Sequence, residues 1–370
     1  MAQASRLVLE GLGSKCHSAA QMSAEDLAAK QADDGWIDVP VCEAILSKPA
    51  KFMVGVDGSN HSLNALAYTT LGLMHRDKTS VVEAVHIWDD KKENLPEKYG
   101  KDAVTHAIKT QLESSVAANR KSVRIRQKGK QKTAEFLKYS ITDFGADFFC
   151  MGFIGIKGEK QDPQAVASNV LAVLKEGVCS CIVIKDEDES MLPLSRRTKF
   201  VVSVGLNRAS TKAFLDAVRL SKPGDEIHVV YVKSYLEKVE SEYTSELRQK
   251  YNSFFEGLHD KEAGTAGVFY KFHDRTCEFQ ILEKKRRETV SQAVVRYCDD
   301  IEADFVVVGT NALRTQKGKT PVGSVSMEIC MATERNFIVA NWTDELMGKW
   351  EGAVPVAPSK NAKRGQRRSA

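Results

Sequence analysis

The amino-acid sequence predicts an α/β fold built from two tandem doubly wound domains, each with a five-stranded parallel sheet. Short runs of β-branched and apolar residues, such as residues 304–308, alternate with segments of helical periodicity, which is typical of parallel sheets covered on both faces. The pattern is repeated at an offset of about 150 residues, which indicates a tandem duplication. A basic, glycine-containing loop over residues 309–326 connects a buried strand to a helix, as in α/β proteins that hold phosphate.

Length and composition predict a soluble globular protein with room for two domains. The 370 residues are 42% hydrophobic and 28% charged, and the formal charge of +4 is too small to indicate a nucleic-acid binder. No apolar run reaches membrane-spanning length, and the N-terminus has no secretory signal. We therefore expect a cytoplasmic protein. The basic cluster at residues 363–368 fits either a solvated tail or a nuclear signal.

The eight cysteines do not predict a metal site. Only Cys179 and Cys181 are close in sequence, and no second ligand pair lies at a spacing suited to zinc. The bland interpretation is a set of reduced, mostly buried thiols in a cytosolic protein.

The first repeat contains five predicted strands separated by helices. The strand segments are apolar or alternate in polarity, and they cover residues 51–56, 80–88, 122–126, 147–152 and 181–184. Helical periodicity marks residues 63–75, 102–119, 132–144 and 168–176. The small residues Ser59 and Asn60 after the first strand are suitable helix caps.

The second repeat opens with residues 199–204, which share the Lys-Phe start of residues 51–56. Further strands are predicted over residues 226–232, 268–273, 304–308 and 337–340, and helices near residues 236–258, 287–298 and from Met327. An acidic run and Pro193 separate the repeats. The predicted organisation is an N-terminal tail (1–48), a first domain (49–187), a linker (188–197), a second domain (198–345) and a basic C-terminal tail (346–370).

Three motifs identify a family. The first strand ends in Val-Asp-Gly-Ser at residues 56–59, the second ends in His86 followed by an aliphatic residue, and a Gly-Ser-Val-Ser stretch follows the fourth strand. With these motifs each half resembles a universal stress protein domain, and together the halves cover about residues 49–345. The resemblance implies an adenine nucleotide α-hydrolase-like, Rossmann-like fold with strand order 3-2-1-4-5. In nucleotide-binding members the ligand lies between the first and fourth strands.

The resemblance implies nucleotide-binding positions in the first half. The matching residues are Asp57, Ile87, Gly152, Gly155 and Ser168. In the family the acidic residue lies near the adenosine, the aliphatic residue touches adenine, and the glycines and serine hold phosphate. This half departs from the motif at Ala167, which stands in place of a glycine, and its loop is about two residues too long.

In the second half the preserved positions are concentrated at the phosphate end. They are Val232 on the adenine side and Gly309, Gly323, Ser324 and Ser326 in the phosphate loop. Gly205 replaces the acidic residue, and Ala312 replaces the second glycine. The spacing within the phosphate loop is one residue longer than in the family motif. Arg314, Lys317 and Lys319 could attract phosphate, or form a solvated basic loop.

The predicted function is therefore the binding of ATP, ADP or AMP, with or without Mg²⁺, in one or both halves. We expect a stress-response binding or signalling module with at most slow hydrolysis, because no dedicated carboxylate pair is evident. The alternative is a stress-related scaffold that binds no nucleotide. Family members often dimerise through the fifth strand, so residues 181–184 and 337–340 are candidates for pairing the halves or for a homodimer.

Two other enzyme classes fit poorly. A Walker phosphate loop ending at Gly318, Lys319 and Thr320 would need a glycine where Leu313 stands. An adenylate-forming enzyme would need a Ser-Gly-Gly-type loop after the first strand, which is missing.

Overall fold

The computed structural model describes most of both predicted domains. The described residues are 37, 39–74, 78–89, 91, 96–156, 168–186, 196–234, 240–259, 272–311 and 322–342. The predicted C-terminal tail, nearly all of the N-terminal tail before residue 37, and residues 188–195 of the linker lie outside these ranges.

Helices and strands alternate along both halves. The helices are α1 (Val39–Ser47), α2 (Asn60–Ala67), α3 (Lys101–Ser115), α4 (Thr133–Phe144), α5 (Ser168–Glu176), α6 (Arg208–Leu220), α7 (Glu242–His259), α8 (Val290–Asp300) and α9 (Ser324–Ala332). The strands are β1 (Lys51–Gly55), β2 (Val81–Trp88), β3 (Lys121–Gln127), β4 (Phe148–Gly152), β5 (Ser180–Ile184), β6 (Lys199–Ser203), β7 (Glu226–Lys233), β8 (Thr276–Glu283), β9 (Phe305–Asn311) and β10 (Asn336–Trp342). A π-helical turn, Tyr68–Leu73, continues α2.

The strands form one ten-stranded sheet in the order β3-β2-β1-β4-β5-β10-β9-β6-β7-β8. Each half is parallel and has the order 3-2-1-4-5, so the predicted α/β class and strand order are confirmed. The fifth strands of the two halves, β5 and β10, pair antiparallel. The two predicted sheets are thus joined at the centre of one larger sheet, whose outer edges are β3 and β8.

Helices cover both faces of this sheet. One apolar cluster packs α1, α2, α3, α6 and α7 against one face, and a second packs α4, α5, α8 and α9 against the other. The central strands β4, β5 and β10 are buried along their whole length, which explains their mostly apolar sequences. No helix within the described ranges is long and apolar enough to span a membrane.

The repeated Lys-Phe and Asp-Phe sequences have the same structural role in both halves. The backbone N–H of Lys51 donates to Asp147 Oδ2 at 3.0 Å, and that of Lys199 donates to Asp304 Oδ2 at 2.8 Å. Each aspartate precedes the fourth strand and each lysine begins the first. The duplicated residues therefore join the starts of the first and fourth strands in each half.

The structure differs from the predicted elements in three places, and one of them is α6, for which no helix was predicted. Residues assigned to the N-terminal tail form α1, whose apolar side chains are buried against α6 of the second half. The third strand of the second half is β8, which begins at Thr276. Residues 272 and 273, the described part of the strand predicted over 268–273, are not in a strand. Cys277, Phe279 and Ile281 alternate with polar residues there, as in a half-buried edge strand, and the charged neighbourhood obscured this short pattern.

A buried ionic cluster joins the two halves beside the β5–β10 seam. Lys212 Nζ on α6 donates to Asp216 Oδ1 at 2.5 Å and to Ser180 Oγ on β5 at 3.1 Å. Nearby, Arg219 Nη2 lies 3.2 Å from Asp147 Oδ2 of the first half. Helical periodicity alone would place such charges at the surface, because it does not reveal a partner from the other repeat.

Candidate functional site

A cavity of about 780 Å³ lies in the first half, at the C-terminal ends of β1, β2 and β4. Four of the five predicted residues of this half line it: Asp57, Ile87, Gly152 and Gly155. The fifth, Ser168, is the first residue of α5, and the next residue, Asn169, is in the wall. The first-half prediction therefore picked out residues that the fold brings together around one cavity. Ala167 lies outside the described residues.

The Asp57 carboxylate links the end of β1 to the loop after β4. Its Oδ1 accepts hydrogen bonds from Ser59 N at 3.0 Å and Ser59 Oγ at 2.6 Å, and its Oδ2 accepts one from Ile156 N at 3.2 Å. Ser62 Oγ accepts hydrogen bonds from the backbone N–H groups of Asp57 and Gly58, both at 3.2 Å. A carboxylate has about four acceptor positions, so Asp57 keeps capacity for one further donor.

The first glycine of each glycine motif is required by packing. A Cβ on Gly152 would lie 2.5 Å from the backbone carbon of His61, and one on Gly309 would lie 2.2 Å from the Ala209 carbonyl oxygen. Each glycine lets the helix after the first strand cross closely over the fourth strand. This role accounts for both glycines without any phosphate. Gly323 differs, because a Cβ there would meet nothing within 4 Å.

The cavity wall also contains cationic residues that the sequence analysis missed: Lys101, Lys128 and Lys132. Lys128 Nζ lies 3.3 Å from Asp89 Oδ2, and Lys101 Nζ lies 5.3 Å from the centre of the Trp88 ring. The sequence marks these lysines only by their positions, because each stands just after a strand or at the start of a helix. The strand order brings these points to one end of the sheet.

His86 adds a buried hydrogen-bonding group to the same wall. Its Nδ1 lies 2.8 Å from the Val56 carbonyl oxygen, and its Nε2 has no hydrogen-bond partner among the described residues. Burial lowers the pKa of His86, which favours the neutral ring. The Nδ1 contact requires the proton on that atom, so Nε2 is left as an acceptor.

In the second half, the end of β6 is covered by a tyrosine from α7. The backbone N–H of Leu206 donates to the Tyr243 hydroxyl at 2.8 Å, and a Cβ on Gly205 would lie 3.3 Å from that oxygen. Burial raises the pKa of Tyr243, so its phenol stays neutral. Gly205 stands where the first half has Asp57. The loss of the acid is thus accompanied by an aromatic side chain over the same position.

A glutamate on α9 contacts the start of α8 in the second half. Glu328 Oε1 accepts from Thr289 Oγ1 at 3.2 Å, and its Oε2 accepts from Ser291 Oγ at 3.0 Å. These contacts join α9 to the start of α8 and leave a hollow of about 500 Å³ beside them.

Four of the five predicted second-half residues lie together on β9 and at the start of α9, and Val232 lies on β7. Ser326 Oγ donates to the Gly309 carbonyl oxygen at 3.1 Å, Gly323 caps α9, Ser324 is exposed, and Val232 packs against the core. Ala312 and the basic residues Arg314, Lys317 and Lys319 lie outside the described residues.

No protein-family model matches this chain, and no curated protein matches it. Among solved structures, a universal stress protein from Archaeoglobus fulgidus matches with a TM-score of 0.53 at 14% identity, covering 80% of this chain and 97% of its own. The chain has the universal stress protein fold. A protein of unknown function from Pseudomonas aeruginosa matches with a TM-score of 0.50 at 12% identity, covering 84% of this chain and 99% of its own. A universal stress protein in complex with cAMP matches over 37% of this chain and 98% of its own, with 15% identity and a TM-score of 0.28.

Within this universal stress protein fold, the cavity lies at the switch point between β1 and β4, where open α/β sheets bind ligands. Its wall offers one carboxylate with spare acceptor capacity, an aliphatic surface at Ile87 and several lysines. Within the described ranges, seven cysteines carry free thiols, and no group of three or more His, Cys, Asp or Glu residues could hold a metal ion. The arrangement suits binding of an anionic ligand with a polar ring system.

Proposed function

We propose that the first half binds an adenine nucleotide, ATP, ADP or AMP, and that the protein acts as a binding or signalling module in a stress response. The observation that carries this proposal is the cavity of about 780 Å³ at the switch point, with Asp57, Ile87, Gly152 and Gly155 in its wall. A cytoplasmic location, and an accompanying Mg²⁺ ion in the case of ATP, belong to the same proposal.

Each wall group has a role in this proposal. Asp57 accepts a hydrogen bond from a ribose hydroxyl at its remaining acceptor position, and Ile87 packs against the base. The backbone N–H groups at the start of α5 receive phosphate. Asp57 and Asp89 are the carboxylates of the described wall, and Asp89 is paired with Lys128. Hydrolysis that is slow at most belongs to the same proposal.

The proposal favours the first half over the second on two contacts. Tyr243 covers the position equivalent to Asp57, and Glu328 joins α9 to the start of α8. We therefore infer that Val232, Gly309, Gly323, Ser324 and Ser326 belong to a site that has lost its ligand during divergence of the repeats.

The test combines ligand identification with thermal stability. The purified protein is heated, and the released small molecules are identified by mass spectrometry. We then expect ATP, ADP or AMP to stabilise the wild type by about 2.7 kcal/mol at a concentration of 100 times Kd. Asp57→Ala should weaken binding tenfold or more, because a hydrogen bond to a charged group contributes about 1.5–3 kcal/mol.

Gly323→Val is the matched control for this experiment. It lies in the second half, and a Cβ at this position meets nothing within 4 Å, so the stabilisation should be unchanged. Stabilisation that depends on Gly323 and not on Asp57 would move the site to the second half. Absence of any bound nucleotide and of any stabilisation would contradict nucleotide binding.

The second candidate function is a scaffold that binds no nucleotide. The antiparallel pairing of β5 with β10 favours it, because the two halves then act as a paired unit within one chain. In that case the fifth strands are already occupied, and a homodimer would need another surface. Size-exclusion chromatography with light scattering tests this: we expect a mass of one chain, about 41 kDa.

A further inference from the structure

The two halves place different ionisable groups at one equivalent position of the sheet. Glu83 is the third residue of β2, and His228 is the third residue of β7. Each is paired in register with a residue of the outer strand of its half, Glu83 with Ser122 on β3 and His228 with Glu278 on β8. The same position beside the sheet edge is thus a glutamate in one repeat and a histidine in the other.

In the first half this position belongs to an ion pair. Glu83 Oε2 lies 2.8 Å from Arg124 Nε on β3, and Ser122 Oγ donates to Glu83 Oε1 at 3.1 Å. Arg124 Nη1 also donates to Asp143 Oδ2 on α4 at 2.7 Å. Carboxylate and guanidinium groups ordinarily keep their charges between about pH 5 and pH 8, so we expect these contacts to be the same throughout that range.

In the second half a histidine lies between two carboxylates. His228 Nδ1 lies 2.5 Å from Glu278 Oε1 on β8, and His228 Nε2 lies 3.5 Å from Glu226 Oε2 on β7. The Tyr297 hydroxyl on α8 is 3.0 Å from Nδ1, and burial raises the pKa of Tyr297, so this phenol stays neutral. These three are the titratable groups in contact with the ring within the described residues. Arg197, before β6, lies 3.7 Å from Glu226.

The protonation state of His228 decides whether both ring nitrogens suit their neighbours. The side chain is 12% exposed, and Nε2 has no hydrogen-bond partner in the described part of the chain. A neutral imidazole has one N–H, so either tautomer turns an acceptor nitrogen towards a carboxylate. The imidazolium presents an N–H to both Glu226 and Glu278. The charged ring therefore stabilises the contact between β7 and β8, and this contribution is lost as the pH rises and the proton leaves.

We propose that His228 is a pH-sensitive switch for the edge strand of the second half. The protonated ring holds β8 against β7 and α8, and β8 loosens as the pH rises through the range in which histidines titrate, about pH 5 to 8. Strand β3, the opposite edge of the same sheet, keeps its ion pair and does not respond. This switch is independent of the proposed nucleotide site, which lies in the first half.

Hydrogen exchange followed by mass spectrometry tests the switch on the full chain. Peptides covering β3 and β8 are compared in the same sample at about pH 5.5 and about pH 8, after correction for the pH dependence of intrinsic exchange. We expect the protection of β8 to fall about fivefold relative to that of β3, a ratio equivalent to about 1 kcal/mol for a partly exposed charge pair. An unchanged ratio would overturn the proposal.

Replacing the histidine identifies the group that responds. His228→Gln should give β8 its high-pH protection at both pH values, because glutamine keeps a donor but carries no charge. His106→Gln, which replaces an exposed histidine on α3, is the control and should keep the wild-type pH dependence. A pH dependence that survives in His228→Gln would belong to another group, and the proposal would fail.

Transplanting the first-half residues separates loss of the switch from loss of the fold. His228→Glu combined with Glu278→Ser and Gln280→Arg reproduces the three first-half residues at the equivalent register positions. We expect β8 of this variant to be equally protected at both pH values. A transplanted β8 that still loses protection relative to β3 at about pH 8 would contradict the role of His228.

Discussion

Replacing Lys212 with alanine is expected to lower the free energy of unfolding by about 3–5 kcal/mol, because it leaves a buried carboxylate without its cation. Lys212 and Asp216 are 5% and 0% exposed. Lys212 Nζ donates to both Asp216 oxygens, at 2.5 and 2.7 Å, and Ser180 Oγ donates to Asp216 Oδ2 at 2.6 Å. The serine belongs to β5 of the first half, so the loss also weakens the seam between the halves.

Urea denaturation followed by circular dichroism measures this effect. The matched control is Lys138→Ala, because Lys138 pairs with Glu176 at 2.6 Å on an exposed surface. An exposed pair contributes about 0–1 kcal/mol, so the control should change stability little. The double replacement Lys212→Met with Asp216→Leu should recover most of the loss, since it removes both charges together. Equal small effects of Lys212→Ala and Lys138→Ala would contradict a structural role for the buried pair.

Gly309→Ala is expected to destabilise the protein by about 1–3 kcal/mol, at the upper end of that range for overpacking. The added Cβ would lie 2.2 Å from the Ala209 carbonyl oxygen and 2.8 Å from the Ser210 backbone nitrogen. These are backbone atoms of α6, so the clash is relieved only if the helix moves away from β9. The same helix carries Lys212, so this movement would also disturb the seam.

Gly323→Ala is the control for the glycine prediction. Its φ of −59° suits any residue, and a Cβ there meets nothing within 4 Å. Removing a glycine at such a φ stabilises a protein by about 0.4–1 kcal/mol through the unfolded state, but alanine is less favourable than glycine at a helix N-cap, so the two effects offset each other. A near-neutral Gly323→Ala beside a destabilised Gly309→Ala in thermal unfolding would support the packing role of Gly309. A neutral Gly309→Ala would contradict the packing role of this glycine.

The glycine motifs show how far sequence reasoning reaches. The structure places Gly152, Asp57 and Ile87 around one cavity, because each stands at or just after the C-terminal end of a parallel strand and these ends meet at one edge of the sheet. The motif did not separate a phosphate-binding glycine from a packing glycine. That distinction depends on how closely α2 and α6 cross the fourth strands, which is a distance between elements far apart in the chain.

Elements with weak local signals were also missed. Helix α1 has only a short apolar stripe, and it is held in place by α6, a helix from the other repeat. The lysines of the cavity wall were overlooked for a related reason. Lys101 and Lys132 look like ordinary solvated residues until the strand order places the starts of α3 and α4 over the same cavity.

The sequence by itself determined the α/β class and the duplication, because these depend on local periodicity and repeated motifs. The strand order was available only as what the family resemblance implies, since pairing between distant strands leaves no local pattern. Only the tertiary structure decided how the repeats differ. In the second half, Tyr243 on α7 covers the end of β6 and Glu328 joins α9 to the start of α8, whereas the first-half wall stays open and basic. Whether a site is open is a matter of packing between distant elements, and no local pattern contains that information.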